Sequence, residues 1–329
     1  MAKAIITILG MGVTGTSFGL ALQRADAQAE RVGHDKLPEA TQAARRLNAV
    51  QRGEWNLHNA CTGASLILLC IPLGEVEETL GLIREDLRPD TLVFVISDVL
   101  QPVTELLARQ LPGHRHVVAG HPVVTGIGGD NSPRADRFER AVFAVAAGTD
   151  TDPAALELAS NFVESIGAQP LFMDPVEHDG VAAGVEQLPQ VLGAALVHML
   201  AGAPGWEEGR RLAGRTFAQA TQPDKSAEHL YAALAANRAN VLLRLAQFER
   251  ELAAWKQWLV EDAVTGQDQP LQVALADAFA ARAAWETQAE RKNWDEAAAP
   301  TSETPAPNFL RQMFLGNLGQ RRSERPPGK

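Results

Sequence analysis

Cysteine is scarce: the 329-residue chain holds two, Cys61 and Cys70. So few exclude a disulfide-stapled framework and a cysteine-type metal site, and no metal is expected. Cys70 lies in the apolar run SLILLCIPL, where a buried thiol in a reduced, intracellular protein is the simplest reading. An excess of positive charge is also missing. At a formal net charge of -10, the overall field attracts neither nucleic acid nor an anionic membrane, although it says nothing of a local basic pocket. Near the N-terminus, the run AIITILG is far too short to span a bilayer and lacks the charged region and cleavage site of a signal peptide. A cytoplasmic protein is expected.

What is present is the grammar of two cores. The hydrophobic content of 46% is ordinary for a globular protein, and the length suits two domains. Strands are predicted at AIITILG, ERVGHD, SLILLCIP, TLVFVIS, HVVAGHP, AVFAVAAG and, pairing at an edge, AQPLFMD. Amphipathic segments between them, such as GTSFGLALQRA and PVTELLARQL, read as helices covering a parallel sheet.

At MDPVEHD the pattern changes. Asp174 suits an N-cap, Pro175 the first helical position and Glu177 the third, so a helix begins at Pro175 and His178 reads as a first-turn residue. Only helices are expected from there to Trp294. The clearest, HLYAALAANRANVLLRLAQFERELAAWKQWLV, carries a stripe of Val241, Leu245, Phe248, Leu252, Trp255 and Leu259 that suits close helix packing within or between subunits. The predicted domains are residues 1–174, a sheet domain, residues 175–295, a helical domain, and residues 296–329, a Pro-rich, basic, flexible tail. Within the tail NFLRQMFLGNL is apolar enough to dock as a short helix.

The motif with the most chemistry follows the first strand. Gly10, Gly12 and Gly15 have the G-x-G-x-x-G spacing between a predicted strand and a predicted helix. Gly10 permits the tight turn, Gly12 lets backbone approach a pyrophosphate, and Gly15 allows close helix packing. Backbone N–H groups near Val13 and Thr14 would then face the phosphates. About twenty residues on, Asp35 ends the second strand, where a carboxylate accepts from a ribose and repels a 2′-phosphate. The cofactor implied is NAD, held by a Rossmann-like doubly wound sheet. Ile71 and Pro72 should border its nicotinamide end, and Asp98 and His121 end strands on the same rim. The residues alone leave His121 open between a structural and a catalytic role. Arg211 and Arg215, four apart, read either as a solvated patch or as a clamp for a substrate carboxylate.

Together, GMGVTGTSFGLAL, CIP, SDV, GHPVV, MDPVEHDGVAAGVEQLPQVLGAAL, GRTFAQATQPD and NRANVLLRLAQF, in this order, resemble the prephenate/arogenate dehydrogenase family. The resemblance implies an α/β, Rossmann-like domain followed by an all-helical dimerisation domain, and a homodimer. It implies NAD-dependent oxidative decarboxylation of prephenate to 4-hydroxyphenylpyruvate, or of arogenate to tyrosine, in tyrosine biosynthesis. His121 would take the ring hydroxyl's proton, and Arg215 would hold a substrate carboxylate. This chain departs from the family pattern in three places. Glu186-Gln187-Leu188-Pro189-Gln190 stands where many members have Ser-His-Leu-Pro-His, Gln101 stands for a serine that orients the histidine, and VVTGIGG follows His121 in place of Met-Ala-Gly. Gln101, Gln187 and Gln190 remain able to bind an imidazole or a substrate, and Glu186 is expected to face solvent. The same departures suit two other readings: a dehydrogenase of a modified cyclohexadienyl acid, or a weakened paralogue that binds NAD.

Overall fold

A computed structural model describes residues 4–25, 28–124, 132–265 and 270–291. The glycine-rich loop after His121, in residues 125–131, and the tail therefore lie outside the described residues. Eight strands form one sheet in the order β3-β2-β1-β4-β5-β6-β7-β8. They are β1 (Ala4–Leu9), β2 (Ala29–His34), β3 (Arg52–Gly53), β4 (Leu66–Leu69), β5 (Leu92–Ile96), β6 (Val117–Val123), β7 (Val142–Ala146) and β8 (Gln169–Phe172). The seven predicted strands are all present, and β8 lies at the edge. With two residues, β3 is too short to show any period.

The expectation of a wholly parallel sheet needs one correction: β7 runs antiparallel to β6, pairing Ala144 with His121. A parallel return needs a crossover, usually helical, whereas the described part of the β6 to β7 connection holds turns and no helix.

Helices cover both faces. All four residues of β4 are buried, as a parallel central strand requires, and each leucine so buried contributes roughly 1.5–3 kcal/mol. On one face Phe18 stacks on Phe138 at 4.2 Å, with Phe94, Phe143 and Phe162 around them. Gly120 belongs to this packing, because a Cβ there would stand 2.4 Å from the Phe94 ring and 2.6 Å from that of Phe143. The opposite face buries Leu9, Ile67, Leu69, Leu80 and Ile83. Both cysteines are free thiols, and burial pushes that of Cys61 up to about 12, so it is unreactive.

The helical region starts with α7 (Pro175–Ala182), after α1 (Val13–Arg24), α2 (Pro38–Arg46), α3 (Leu57–Cys61), α4 (Leu73–Ile83), α5 (Gln101–Gln110) and α6 (Pro153–Ser165) of the sheet domain. Asp174 caps α7 by accepting from the Val176 and Glu177 amides, 2.9 and 3.2 Å. A π-helical turn, Ala183–Gln187, joins α7 to α8 (Leu188–Ala201). Pro189, one turn later, has no N–H to return to Val185, so the widened turn falls where the regular ladder is already interrupted.

Two expectations change further on. Arg211 and Arg215 do not share a helix face: α9 (Trp206–Leu212) ends before Gly214, and Arg215 opens α10 (Arg215–Thr221). The long striped helix is two, α11 (Ala227–Ala236) and α12 (Arg238–Thr265), parted at Asn237, whose buried amide is drawn into side-chain bonding. The polypeptide up to Thr265 forms one compact unit and residues from Gly266 a second, of which α13 (Pro270–Arg291) is described.

Candidate active site

Strand register brings the first residues together. β5 pairs with β6 so that Ile96 meets Gly120, and the Ser97 amide donates to the Gly120 carbonyl at 2.9 Å. Asp98, just past β5, and His121, late in β6, therefore share the carboxyl rim of the sheet. His121 is 4% exposed, too buried for its ring nitrogens to be served by bulk water.

Its partners come from α7, across the site. His121 Nδ1 lies 3.1 Å from His178 Nε2, and His178 Nδ1 lies 2.8 Å from Asp179 Oδ1. Asp179 in turn accepts from the Leu100 amide (2.7 Å) and the Gln101 amide (3.0 Å) at the start of α5, where the helix dipole favours a carboxylate. This chain of bonds assigns the tautomers. With His178 donating from Nδ1 to Asp179, its Nε2 accepts from His121 Nδ1–H, and a neutral His121 then presents Nε2 as an acceptor.

The Nε2 side faces two carboxylates. Glu186 Oε1 is 3.3 Å away and Asp98 Oδ1 is 3.9 Å away. The second oxygen of Asp98, Oδ2, is bound by Lys225 and His229, at 2.5 and 2.8 Å, which ties the approach to α11 to the sheet rim. Burial opposes a charge on His121, but the bond to Glu186, its charge and that of Asp98 outweigh it and raise the ring above its ordinary value. Burial likewise disfavours the charge of Asp98, yet His229, Lys225 and His121 hold its carboxyl far below the usual range. Glu186 is also held low, His121 overcoming the effect of burial.

Several expected site residues stand elsewhere than expected. Glu186 does not face solvent: the widened turn delivers the adjacent Glu186 and Gln187 to the inner side together. The Gln101 side chain does not reach the imidazole but donates to Glu105 at 3.0 Å on an exposed stretch of α5; its backbone amide is the part that serves the site. Arg215 is exposed, and the hydrogen bonds and ion pairs described for the histidine cluster do not include it. Among the described residues, Lys225 is a cation that binds there, at Asp98.

Gln187 is buried and accepts from Asn237 Nδ2 at 2.9 Å, while its own Nε2 has no partner among the described residues. Gln190 Oε1 is similarly buried and unpartnered among them. Asn237 also donates to the Asp179 carbonyl at 2.8 Å, bracing the histidine pair from α12's start. Sequence reasoning passed over His178, Asp179, Lys225, His229 and Asn237. The available signal was the adjacent pair His178-Asp179, polar where an inward helix face is otherwise apolar.

The cofactor side has the steric signature of a dinucleotide turn. Gly10 has φ +91°, and a Cβ there would lie 2.3 Å from the Cys70 carbonyl oxygen. At Gly15 a Cβ would stand 1.9 Å from the Gly10 carbonyl oxygen, whereas at Gly12 nothing lies within 4 Å, leaving backbone open to a ligand. Val13 and Thr14 open α1. Asp35 is held by the Met11 amide (2.7 Å) and the Leu37 amide (2.8 Å), one on each oxygen, which fixes the carboxylate beside the loop. Ile71 packs against Gly10, and Pro72 caps α4. These residues fit a dinucleotide: an open backbone at a helix N-terminus for the phosphates and a fixed acidic acceptor for a ribose.

Residues 18–171 match the family described as prephenate dehydrogenase, nucleotide-binding domain, and residues 174–272 its dimerization domain. The prephenate dehydrogenase of Bacillus subtilis is 26% identical over 201 residues, covering 60% of this chain and 53% of that protein. A cyclohexadienyl dehydrogenase of Zymomonas mobilis is 26% identical over 198 residues, 60% of this chain and 67% of that one. The chain thus matches about half the length of the Bacillus relative, 53%. The fold is shared with the crystal structure of prephenate dehydrogenase from A. aeolicus in complex with hydroxyphenyl propionate and NAD+, at TM-score 0.78 and 22% identity, covering 86% of this chain and 98% of that one.

Proposed function

The chain belongs to the prephenate/arogenate dehydrogenase family, and from that premise we propose that it carries out NAD-dependent oxidative decarboxylation of a cyclohexadienyl carboxylate of the prephenate or arogenate class. The observation that carries this reading is the buried His121, whose Nδ1 is engaged by the His178-Asp179 pair and whose Nε2 is thereby left as the acceptor. NAD supplies the hydride acceptor when bound along Gly10, Gly12, Val13, Thr14 and Gly15, with its ribose at Asp35.

In the reaction, His121 accepts the proton of the ring hydroxyl as hydride leaves the carbon that bears it. Decarboxylation returns an electron pair to the ring, and the phenolate oxygen takes the proton back from His121. Proton acceptance needs a neutral imidazole, and the carboxylates around Nε2 increase its basicity. Asp179 accepts from His178 Nδ1 and orients that ring, in the manner of a buried triad carboxylate. Gln187 offers its unpartnered Nε2–H, and Gln190 its side-chain amide N–H, to the substrate's carboxylate or keto group. A cytoplasmic homodimer through residues 174–272 accompanies this reading. Exposed Met199, Tyr231, Leu242, Leu243, Leu252 and Leu259 are apolar surface of the kind a partner covers.

The test is NADH formation coupled to CO2 release by the full chain, with prephenate and arogenate first and ring-substituted analogues after them. Turnover of a member of this set is expected. Measurable NAD binding without turnover of any would sink the reading and favour the weakened paralogue.

A further inference from the structure

We propose that the site is built to receive a protonated amine, in place of a hydroxyl, on the ring carbon that gives up hydride, and that Glu186 is the residue that sets this preference. The inference rests on the dehydrogenase reading above.

Hydrogen counting separates the two substituents. Three acceptors lie together: Nε2 of neutral His121, with Glu186 Oε1 3.3 Å and Asp98 Oδ1 3.9 Å from that nitrogen. A hydroxyl donates one hydrogen and leaves two of these acceptors without it; an ammonium donates three. Unsatisfied acceptors in a half-buried site are costly, and charged ones more so.

Charge separates them again. Lys225 and His229 bind Asp98 through Oδ2, so Oδ1 still faces the reacting nitrogen. Glu186 draws its nearest positive partner from His121 itself, with Lys225 acting from farther away. The reactive form of His121 is neutral, and in that form Glu186 has lost this charge. An ammonium replaces it, whereas a hydroxyl does not. The position is also decisive. In arogenate the amine is on the side chain, at the opposite end of the ring from the reacting carbon, so Glu186 does not read it.

The chemistry balances. The ammonium gives a proton to His121 Nε2, which frees the nitrogen lone pair. Hydride then passes from the carbon to the nicotinamide, leaving an iminium. Loss of CO2 returns its bonding pair to the ring and yields a neutral aromatic amine, while the proton leaves from His121 by way of Glu186. A base is obligatory here, because carbon bearing an ammonium cannot release hydride until the lone pair is free.

The experiment compares kcat/KM of the full chain with NAD for prephenate, arogenate and the prephenate analogue in which an amino group replaces the ring hydroxyl. The amino analogue is expected to exceed prephenate by about tenfold or more. Glu186→Ser and Glu186→Gln should each lower that ratio by about tenfold, with NAD affinity unchanged as the check on folding. Preference for prephenate or arogenate in the unsubstituted protein, or a ratio that neither variant moves, overturns the amine assignment and leaves the dehydrogenase reading standing. No turnover of any of the three, with NAD still bound, overturns the amine assignment and, once the other ring-substituted analogues fail as well, the dehydrogenase reading.

Discussion

At Gly15 an added Cβ would stand 1.9 Å from the Gly10 carbonyl oxygen, whereas at Glu186 a long side chain hangs from a widened helical turn and meets His121 at 3.3 Å. The cofactor wall is set by the backbone sterics of the glycine turn, which closes on the carbonyls of Gly10 and Cys70. The proposed substrate wall is set by side-chain hydrogen bonds among β5, β6, α7, the π turn and α11. A wall of the first kind tolerates few substitutions. One of the second kind can change its chemistry a residue at a time, which is how Glu186, Gln187 and Gln190 can stand in a site whose cofactor loop keeps the ordinary pattern.

The largest expected effect falls where the two walls meet. His121→Ala should lower kcat by about 10²- to 10⁴-fold while NAD affinity, followed by fluorescence titration, stays the same. Near-normal turnover would remove His121 from the chemistry. Asp179→Asn puts a donor where two backbone amides and His178 need an acceptor, so kcat should fall by about 100-fold through misorientation of the histidine pair. A purely structural defect would follow the melting temperature alone. A positioning role also displaces the acid limb of the pH profile in protein that remains folded.

On the cofactor side, Gly15→Ala should cost about 1–3 kcal/mol in denaturant unfolding and weaken NAD binding, with little change in substrate preference. Equal losses for cofactor and substrate would blur the contrast between the walls. The pH profile sharpens it. Because Glu186 and Asp98 raise His121, the base becomes available only above the ordinary histidine value of 6.5, so kcat/KM should fall as pH drops through that raised value. Glu186→Gln should move the limb to lower pH. The smallest effect is expected at Arg215, exposed and outside the histidine cluster: Arg215→Ala should change KM by about twofold or less. Lys225→Met, which takes a partner from half-buried Asp98, should change it several times more.

Legibility in the sequence followed the same division. The glycine turn, Asp35 and the strands that lead to them were readable because glycine spacing and strand patterning are short-range marks in the sequence, even where, as at Gly10, the crowding atom is the Cys70 carbonyl. The N-cap at Asp174 was readable for the same reason. Glu186 was not, because a π turn displaces residues from the regular helical period and nothing in EQLPQ alone announces its place beyond the later proline. Arg211 and Arg215 read as one helix face because a four-residue spacing assumes a continuous helix, and Gly214 ends that assumption; the carboxylate role of Arg215 came from the resemblance. Asn237 looked like one position in a long helix until its amide proved to bridge Gln187 and the Asp179 carbonyl.

By itself, the sequence determined the doubly wound sheet, the dinucleotide turn and the placement of His121 on the rim, since hydrophobic periodicity and glycine sterics act over short spans. Tertiary structure alone decided what surrounds that histidine. His178 is 57 residues away in the chain and 3.1 Å away in space, and Glu186 and Asp98 converge on the other nitrogen from separate elements. Hydrogen bonds and ion pairs depend on distances of a few ångströms, and only the packing of α7 and its widened turn against the sheet sets them.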